Sequence, residues 1–308
     1  MEEGSTSAEL IAARSVGGRT VLVARRDGST VLGRLDGGAL VVELDLGSRD
    51  AHDLFGTSAD DDLWIVDGDG VARFDGAAWS PVPVDAGRDA YVRQIAGQGV
   101  EVFAIAWDAA DAREPSLVLR HTPSGFVPDD APRGALLATT ASDLFLLTGD
   151  GSLRRSDGEW VAIDPPPFGP ARASGDALTT TERTSVALYR DGAWETLPDL
   201  PLHDVEPATE EGDPYEQLEQ LLVVGDDVLA RVSAGHYECA SGSLFSYGTC
   251  GQRVERVELY RHSPATGWAH LGGVDESWRG GRLLTIDGAA WLADVTDRGT
   301  RLGRVGAR

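Results

Sequence analysis

A short phrase recurs along the chain and constrains the fold more than any other feature. In each copy an apolar run ends in arginine or an aromatic, a tight polar turn follows, and another aromatic opens the next run. Several of the turns are Asp-Gly, a strong hairpin signal because two-residue primed turns need positive φ. The copies are VARFDGAAW, VLRHTPSGF, LRRSDGEW, ALYRDGAW and LYRHSPATGW, ending at Trp79, Phe126, Trp160, Trp194 and Trp268, with a weaker copy around Leu40.

The spacing of these copies predicts an architecture. A second phrase, DLWIVDGDG from Asp62 and DLFLLTGDG from Asp143, repeats after 81 residues, the same interval that separates Trp79 from Trp160. Half of that interval is about 40 residues, the length of one four-stranded propeller blade. The runs are short and β-branched, and no long segment has a 3.6-residue period. We predict an all-β fold: a single β-propeller with four-stranded antiparallel blades, seven in number, with six as the alternative.

The predicted domain covers the whole chain, residues 1–308. Its units fall at residues 9–46, 50–84, 90–128, 133–163, 171–199, 217–272 and 279–308. The last unit lacks an outer strand, and we predict that residues 5–13 supply it and close the ring. If the terminal segments together form one composite blade, the count becomes six.

The repeats resemble those of bacterial propeller proteins with DLW…GDG…R.DG..W blades, in the broad group beside kelch, WD40 and Asp-box propellers. The resemblance covers most of the chain and implies the architecture alone, because one fold hosts many functions. The SDGEW segment at Ser156–Trp160 is similar to a truncated Asp-box but departs from it in spacing. Sialidase activity is therefore not implied.

Composition excludes several functional classes. The chain has 27 basic residues, all arginine, and 50 acidic residues, which gives a net charge of −23. Without lysine it has no P-loop lysine and no pyridoxal Schiff base. The negative charge argues against nucleic-acid binding and against an anionic membrane surface. No apolar run is long enough for a membrane-spanning helix.

The two cysteines, Cys239 and Cys250, lie in one segment, HYECASGSLFSYGTCGQR. We predict a local disulfide; two unrelated buried thiols and a metal pair are the alternatives, the metal pair without a CxxC or histidine partner. A disulfide implies an oxidising compartment. Residues 1–10 have no signal-peptide pattern, so we predict an extracytoplasmic protein (periplasm, cell surface or secreted) whose export signal is absent from this sequence.

Residues at repeated positions are predicted to be structural. The repeated tryptophans are expected to pack between blades rather than to stack on a ligand. His121 and His262 replace Asp-Gly turns, and repeat equivalence explains them better than metal binding. The segment Asp67–Gly70, DGDG, predicts a turn; calcium is a weak alternative, because the third oxygen ligand is missing. The sequence thus predicts no cofactor and no metal site.

Four connections depart from the repeat, at residues 107–116, 164–170, 202–217 and 233–255. If strands run a to d outward in each blade, all four are b–c or d–a connections and emerge on one face. In the third, Asp213-Pro214 is an N-cap and first-turn pair that predicts a short helix over residues 215–222. Aromatic and acidic loop residues are typical of a binding surface. The candidates are Phe168, Tyr215, Tyr237, Glu238, Phe245 and Tyr247, with Glu210 and Glu211 as further acidic groups.

Two functional hypotheses follow. The first is a non-catalytic extracytoplasmic binding module or scaffold that engages a protein partner, for which the charge favours a basic one. The chain has no GxSxG, no HExxH and no metal-ligand spacing, and no catalytic residue is predicted. The alternative is a glycan-acting hydrolase or lyase, which needs paired carboxylates at the channel mouth. Its candidates are Asp108, Asp111, Glu211 and Glu238.

Overall fold

The computed structural model describes most of the chain, and almost all of what it describes is β-strand. The described residues are 3–6, 9–16, 19–36, 39–47, 51, 53–58, 62–68, 70–86, 90–108, 116–133, 136–140, 143–148, 151–202, 214–239, 250–274, 278, 281–296 and 299–306. Within these residues no helix is long and apolar enough to cross a membrane.

The strands form seven four-stranded antiparallel sheets, which are the blades of a seven-bladed β-propeller. The chain starts with β1 (Glu3–Thr6). Blade 1 contains β2 (Glu9–Val16), β3 (Arg19–Arg26), β4 (Ser29–Asp36) and β5 (Ala39–Asp45). Blade 2 contains β6 (Asp53–Ser58), β7 (Asp62–Asp67), β8 (Gly70–Phe74) and β9 (Trp79–Val82). Blade 3 contains β10 (Ala90–Gln98), β11 (Glu101–Asp108), β12 (Leu117–Thr122) and β13 (Gly125–Pro128).

The second half of the ring repeats this pattern. Blade 4 contains β14 (Leu136–Thr139), β15 (Leu144–Thr148), β16 (Gly151–Ser156) and β17 (Glu159–Ala162). Blade 5 contains β18 (Arg172–Ser174), β19 (Ala177–Glu182), β20 (Ser185–Arg190) and β21 (Ala193–Thr196). Blade 6 contains β22 (Pro214–Val224), β23 (Asp227–Cys239), β24 (Cys250–Ser263) and β25 (Gly267–Val274). Blade 7 contains β26 (Arg282–Ile286), β27 (Ala289–Thr296), β28 (Gly299–Arg304) and, as its outer strand, β1.

The ring closes through strand pairing between the two ends of the chain. Strand β1 lies antiparallel to β28, with Glu3 opposite Gly303 and Thr6 opposite Thr300. The fold is therefore seven-bladed, and the six-bladed alternative is wrong. An N-terminal strand closes the ring, as predicted, but it is shifted toward the N-terminus. The predicted range, residues 5–13, mostly belongs to β2, the innermost strand of blade 1.

Asp-Gly turns join strands where the repeat predicts them. Asp157 and Gly158 have φ of 51° and 81°, and Asp191 and Gly192 have φ of 51° and 86°. Positive φ at both central residues matches the twist of the flanking strands. Each turn therefore connects the two outer strands of its blade without a register shift.

The apolar core lies between adjacent blades rather than at the centre of the ring. One cluster joins Phe103 and Ile105 of blade 3 to Leu144 and Leu146 of blade 4, with Trp160 packed against it. Comparable clusters fill the other junctions around the ring. Each blade thus buries both of its faces against its neighbours, as stacked repeats do.

The repeated tryptophans pack at these junctions, as predicted, and several also make a hydrogen bond to the preceding blade. Trp160 Nε1 donates to Asp129 Oδ1 at 3.3 Å. Trp194 and Trp268 donate to the carbonyl oxygens of Asp164 at 2.8 Å and Pro198 at 2.7 Å. A buried indole N–H needs such a partner, so the same residue type serves both packing and polar contact.

An acid–arginine pair explains the charged positions of the repeated phrases. Arg73 Nε lies 3.0 Å from Asp62 Oδ1, and Arg154 Nε lies 2.6 Å from Asp143 Oδ1. In both of these blades the acid lies at the start of the second strand and the arginine near the end of the third. These half-exposed pairs orient the strand ends and contribute little free energy individually.

Blade 3 carries the same positions but pairs them differently. Its acid, Glu101, accepts two hydrogen bonds from Arg155 of blade 4, from Nε at 3.0 Å and from Nη2 at 2.5 Å. The Arg155 guanidinium also lies 4.9 Å from the ring centre of Phe103. The hydrogen bonding from Arg155 and its positive charge lower the pKa of the Glu101 carboxyl.

The two histidines at repeated positions have aromatic neighbours. The His121 ring packs edge-on against Trp64 with centroids 4.7 Å apart, and His262 packs against Trp268 at 5.2 Å. Burial lowers the pKa of both imidazoles. The His121 ring therefore packs between blades 2 and 3, whereas the His262 ring packs within blade 6.

Candidate functional site

The strand order brings the four irregular connections to one face. Strands in each blade are lettered a to d outward, and neighbouring strands are antiparallel, so b–c and d–a connections leave one face, the upper face. The a–b and c–d turns leave the opposite, lower face. The irregular connections follow β11, β17, β21 and β23, which are all b or d strands. All four therefore emerge on the upper face, as the sequence predicted.

Blade 6 is the longest blade and rises above its neighbour. Strand β23 has 13 residues, whereas the equivalent β19 of blade 5 has 6. A bridge between Gly175 and Val223 aligns the lower ends of the two blades. At a strand rise of about 3.3 Å per residue, the extra length lifts the upper end of β23 by about 20 Å. We call the raised part, residues 234–239 and 250–256, the projecting hairpin.

The cysteines lie at the outer limit of the projecting hairpin. Cys239 and Cys250 are the last partners in the pairing of β23 with β24, directly opposite one another. Opposed residues of antiparallel strands have Cα atoms about 4.5–5.5 Å apart, inside the range that disulfides span. The backbone register is therefore compatible with the predicted disulfide.

Several candidate residues belong to strands of blade 6 rather than to loops. Tyr215 lies in β22 opposite Gly235. Tyr237 and Glu238 lie in β23, within the projecting hairpin. Phe245 and Tyr247 lie outside the described residues.

The helix predicted over residues 215–222 is wrong, because this segment is part of the 11-residue strand β22. Pairing with β23 from one end of β22 to the other satisfies the backbone of β22 and overrides the capping signal at its start.

Phe168 lies in the connection between blades 4 and 5 and is half-buried. The carbonyl oxygen of the adjacent Gly169 accepts a hydrogen bond from Thr180 Oγ1 at 2.6 Å. This bond holds the connection against blade 5, so Phe168 lies in an upper-face connection that is anchored to the blade. The side chains of the remaining carboxylate candidates lie outside the described part of the chain: Asp108, Asp111, Glu210 and Glu211.

A cluster of charged side chains that was not predicted from the sequence lies at the base of the projecting hairpin. Arg256 Nε lies 3.1 Å from Glu258 Oε1, and its Nη2 lies 3.6 Å from Glu216 Oε1. His270 Nε2 lies 2.6 Å from Glu258 Oε2. The side chains of Glu216 and Glu258 are only 7% and 11% exposed, so two carboxylates are buried here beside one guanidinium.

Tyr260 forms the floor of this charged cluster. Its side chain is completely buried, and its ring centre lies 5.0 Å from that of His270. Burial and the charges of Glu258 and Glu216 raise the pKa of the Tyr260 hydroxyl to about 12. The signal for this cluster was present in β24, where Arg256, Glu258 and Tyr260 alternate and so share one face.

The opposite side of blade 6 carries a second ion pair, between the buried Arg231 and the exposed Glu219. Arg231 Nη1 lies 3.5 Å from Glu219 Oε2, and the Ser233 hydroxyl donates to the same carboxylate. Burial lowers the pKa of the Arg231 guanidinium. Glu219 interrupts the register between Leu218 and Gln220 as the extra residue of a bulge. Ionic groups thus hold the base of the projecting hairpin on both of its sides.

The centre of the ring is an open channel of about 1080 Å³ lined by the a strands. Side chains of these strands connect each blade to the next. Gln94 Oε1 accepts from Leu137 N at 3.1 Å, and Gln220 both donates to and accepts from the backbone of Leu283 at 2.8 Å. Asp53 Oδ2 accepts from Ile95 N at 2.9 Å. The channel wall is therefore polar and internally hydrogen-bonded.

Comparisons with known proteins support the fold and do not assign a family or a function. No protein-family model matches the sequence, and no curated protein matches it. The structure is similar to the β-propeller domain of Cps50 (Swd1) from Myceliophteria thermophila, with a TM-score of 0.52 and 14% identity over 98% of both chains.

A second similar structure is the extracellular domain of a putative one-component system from B. thetaiotaomicron. Its TM-score is 0.50 and its identity 13%, over 97% of this chain and 39% of that one, so this chain spans well under half of that protein. At such identities the likeness establishes a β-propeller and nothing finer.

Proposed function

We propose that this protein is a non-catalytic, extracytoplasmic binding module that engages a protein partner through its upper face, with the projecting hairpin as the principal contact. The observation that carries the proposal is the asymmetry of the molecule. The lower face consists of short, regular turns, whereas the upper face holds every long connection and a hairpin raised by about 20 Å. Recognition loops placed on a rigid scaffold have this arrangement.

The base of the hairpin supports this role. A flexible arm would lose more conformational entropy on binding than a rigid one. Here Glu216, Arg256 and Glu258 on one side and Glu219 and Arg231 on the other tie the hairpin to the blade. Pre-organisation of this kind lets aromatic residues such as Tyr237 serve as anchors.

The proposed partner is basic, because the chain carries a net charge of −23. An excess negative charge speeds association with a positive surface and makes the rate salt-dependent. We also propose that the Cys239–Cys250 pair is oxidised, which places the protein outside the cytoplasm of a bacterial cell. Thiol titration of the unfolded, unreduced protein should then detect no free thiol, and two free thiols would remove the basis for this location.

The proposal is tested by shortening the hairpin. Residues 236–253 are replaced by Asn-Gly, which joins Gly235 to Val254 and leaves Glu216, Arg256 and Glu258 in place. A matched control changes the lower-face turn Asp157-Gly158 to Asn-Gly. Partners cross-linked and captured from the native cell envelope are then purified and measured for direct binding. We expect loss of binding with the shortened hairpin alone; equal binding by all three proteins would contradict the proposal.

The glycan-acting alternative can be examined at the buried carboxylates. Glu216 and Glu258 both approach Arg256, whose guanidinium lies between them. In a glycosidase a sugar oxygen or a water molecule must occupy that position. The arrangement therefore favours a structural role for this pair.

A further inference from the structure

The c strands of the blades differ in how far the d strand covers their outer edge. In six blades, backbone pairing with the d strand, or with the residues directly after it, reaches the second residue of the c strand. These second residues are Thr30, Val71, Val118, Ser152, Val186 and Thr300. Almost the whole outer edge of each of these c strands is therefore covered.

Blade 6 is different. Its c strand, β24, begins at Cys250, but pairing with β25 begins only at the eighth residue, where Val257 lies opposite Val274. Among the described residues, no strand pairs with the outer edge of residues 250–256. The outward N–H and C=O groups of this segment therefore form an open strand edge, and that edge belongs to the projecting hairpin.

The open edge has a regular upper part and an irregular base. Residues 250–254 pair with residues 235–239 of β23 in unbroken register. Below them Glu255 is the extra residue of a bulge between Val254 and Arg256. The residues above the bulge span about 17 Å of regular strand, so a further strand can pair with them.

The charge of the chain distinguishes between the possible occupants of this edge. A second copy would bring together two molecules that each carry a net charge of −23, and such a charge opposes self-association. The bulge acts in the same direction, because it twists the edge away from the flat geometry of edge-to-edge pairing. A segment of opposite charge is attracted instead. The edge therefore favours a basic segment of a different protein.

We propose that a basic, extended segment of the partner adds to the projecting hairpin as an extra strand, antiparallel to β24 along residues 250–254. The added strand continues the line of β25, which pairs antiparallel with β24 directly below. Main-chain hydrogen bonds supply affinity in this mode of recognition, and alternate side chains supply specificity. The inference rests on the proposed function, because it names the form of the partner segment that the hairpin contacts.

The test uses peptides that differ only in backbone hydrogen bonding. The parent peptide has eight residues of alternating lysine and valine with blocked ends, and is therefore basic and rich in a strand-forming residue. In one derivative the backbone nitrogens of the valines are methylated, and in another those of the lysines. Successive N–H groups of a strand point to opposite edges, so each derivative loses the donors of one edge and keeps every side chain. Fluorescence anisotropy measures binding to the full chain in about 0.15 M NaCl, which screens distant charges.

We expect the parent peptide to bind, and at least one methylated derivative to bind at least about tenfold more weakly, because several hydrogen bonds are lost. Equal affinity of all three peptides would overturn the proposal, since the attraction would then depend on charge alone. Absence of binding by the parent peptide up to about 1 mM would also overturn it. Neither result affects the proposed function, which is decided separately by partner capture with the native and shortened hairpins.

The variant with residues 236–253 replaced by Asn-Gly locates the peptide on the protein. It should bind the parent peptide at least about tenfold more weakly, whereas the Asp157-Gly158 control should stay within about twofold of the native chain. Equal binding by both variants would place the peptide elsewhere and contradict the proposal. The comparison of the three peptides uses only the native chain, so it remains decisive if the shortened variant does not fold.

Two further measurements test the charge and the second copy. A glutamate–valine peptide of the same length should not bind up to about 1 mM, and binding equal to that of the parent would contradict a basic segment. Sedimentation of the full chain at about 0.1 mM should show a monomer. A dimer that is abolished by shortening the hairpin would assign the edge to a second copy and overturn the proposal.

Discussion

Blades 4 and 6 are alike at the lower face and different at the upper one. Asp143 pairs with Arg154 at 2.6 Å in blade 4, and Asp227 pairs with Arg261 at 2.6 Å in blade 6. Toward the upper face β15 and β16 stop after 5 and 6 residues, whereas β23 and β24 continue to 13 and 14. The acid–arginine pair is therefore common to the lower ends of blades 4 and 6, whereas the upper ends differ in length.

The two blades also differ in the interactions that stabilise their upper ends. At its upper end blade 4 meets neighbours of similar height and is held by apolar contacts. Blade 6 rises past blade 5, and among its described residues ion pairs around Arg256 and Arg231 lie at the base of the raised part. Three pairs of equivalent positions near the lower ends of the two blades test which contacts the blades share, from the largest expected effect to the smallest.

Tyr260 and Leu153 each precede the paired arginine of their blade. Tyr260 is completely buried, whereas Leu153 is only partly buried. Tyr260→Ala should destabilise the protein by about 3–5 kcal/mol, and Leu153→Ala by about 2 kcal/mol or less. Tyr260→Phe, the control for the hydroxyl alone, should cost about 1 kcal/mol. Guanidinium chloride unfolding measures all three, and equal costs for the two alanine variants would refute the difference between the blades.

Arg155 and His262 occupy the next position in the same two blades. Arg155 makes two hydrogen bonds to Glu101, so Arg155→Leu leaves a partly buried carboxylate without its cation. We expect a loss of about 2–3 kcal/mol. His262 makes an aromatic contact with Trp268 instead, and His262→Leu should cost about 1 kcal/mol or less. The same unfolding assay compares them, and the reverse order would contradict this assignment.

The Arg155 effect should also depend on pH. The hydrogen bond and charge of Arg155 lower the pKa of Glu101 in the folded protein. A lowered carboxyl pKa adds stability above the unfolded pKa, and that stability is lost as pH falls toward the folded pKa. The gap between the native chain and Arg155→Leu should therefore be full at pH 7 and shrink below about pH 5. A gap that widened in acid would contradict the ion-pair assignment.

The smallest effect is expected where the two blades are alike. Asp143→Asn and Asp227→Asn each remove the acid from a pair whose arginine is 40% or 46% exposed. Each should cost about 0.5–1 kcal/mol, and the two values should agree within about 0.5 kcal/mol. Thermal unfolding of the native chain and of both variants measures these losses of stability. A large difference would show that the lower halves of the blades are not equivalent.

Local patterns along the chain were enough to predict the fold. Asp-Gly turns and aromatic spacing specify hairpins and blade length, because these depend on neighbouring residues. The strand at Tyr215 was not predicted, since its partner Gly235 lies far along the sequence and the local signal at Asp213-Pro214 favours a helix. Closure by the N-terminal segment was predicted from the missing outer strand of the last unit, but the exact residues depend on the pairing of β1 with β28.

The candidate site was predicted in position but not in its chemistry. Strand order alone places the irregular connections on the upper face. The charged cluster required knowing that Glu216 of β22 meets Arg256 of β24 across the blade. This is a property of three-dimensional contact, and a single acidic sequence offers too many candidate pairs to select among them.

The closing pair of strands also sets how the molecule can be displayed. Strand β28 descends toward the lower face and β1 rises from it, with Glu3 beside Gly303. Both chain ends therefore leave from the lower face, opposite the projecting hairpin. A tether or fusion partner at either end would therefore leave the projecting hairpin pointing away from the point of attachment. A circular permutant joined there and opened in another blade would keep every strand neighbour, since a closed ring has no first blade.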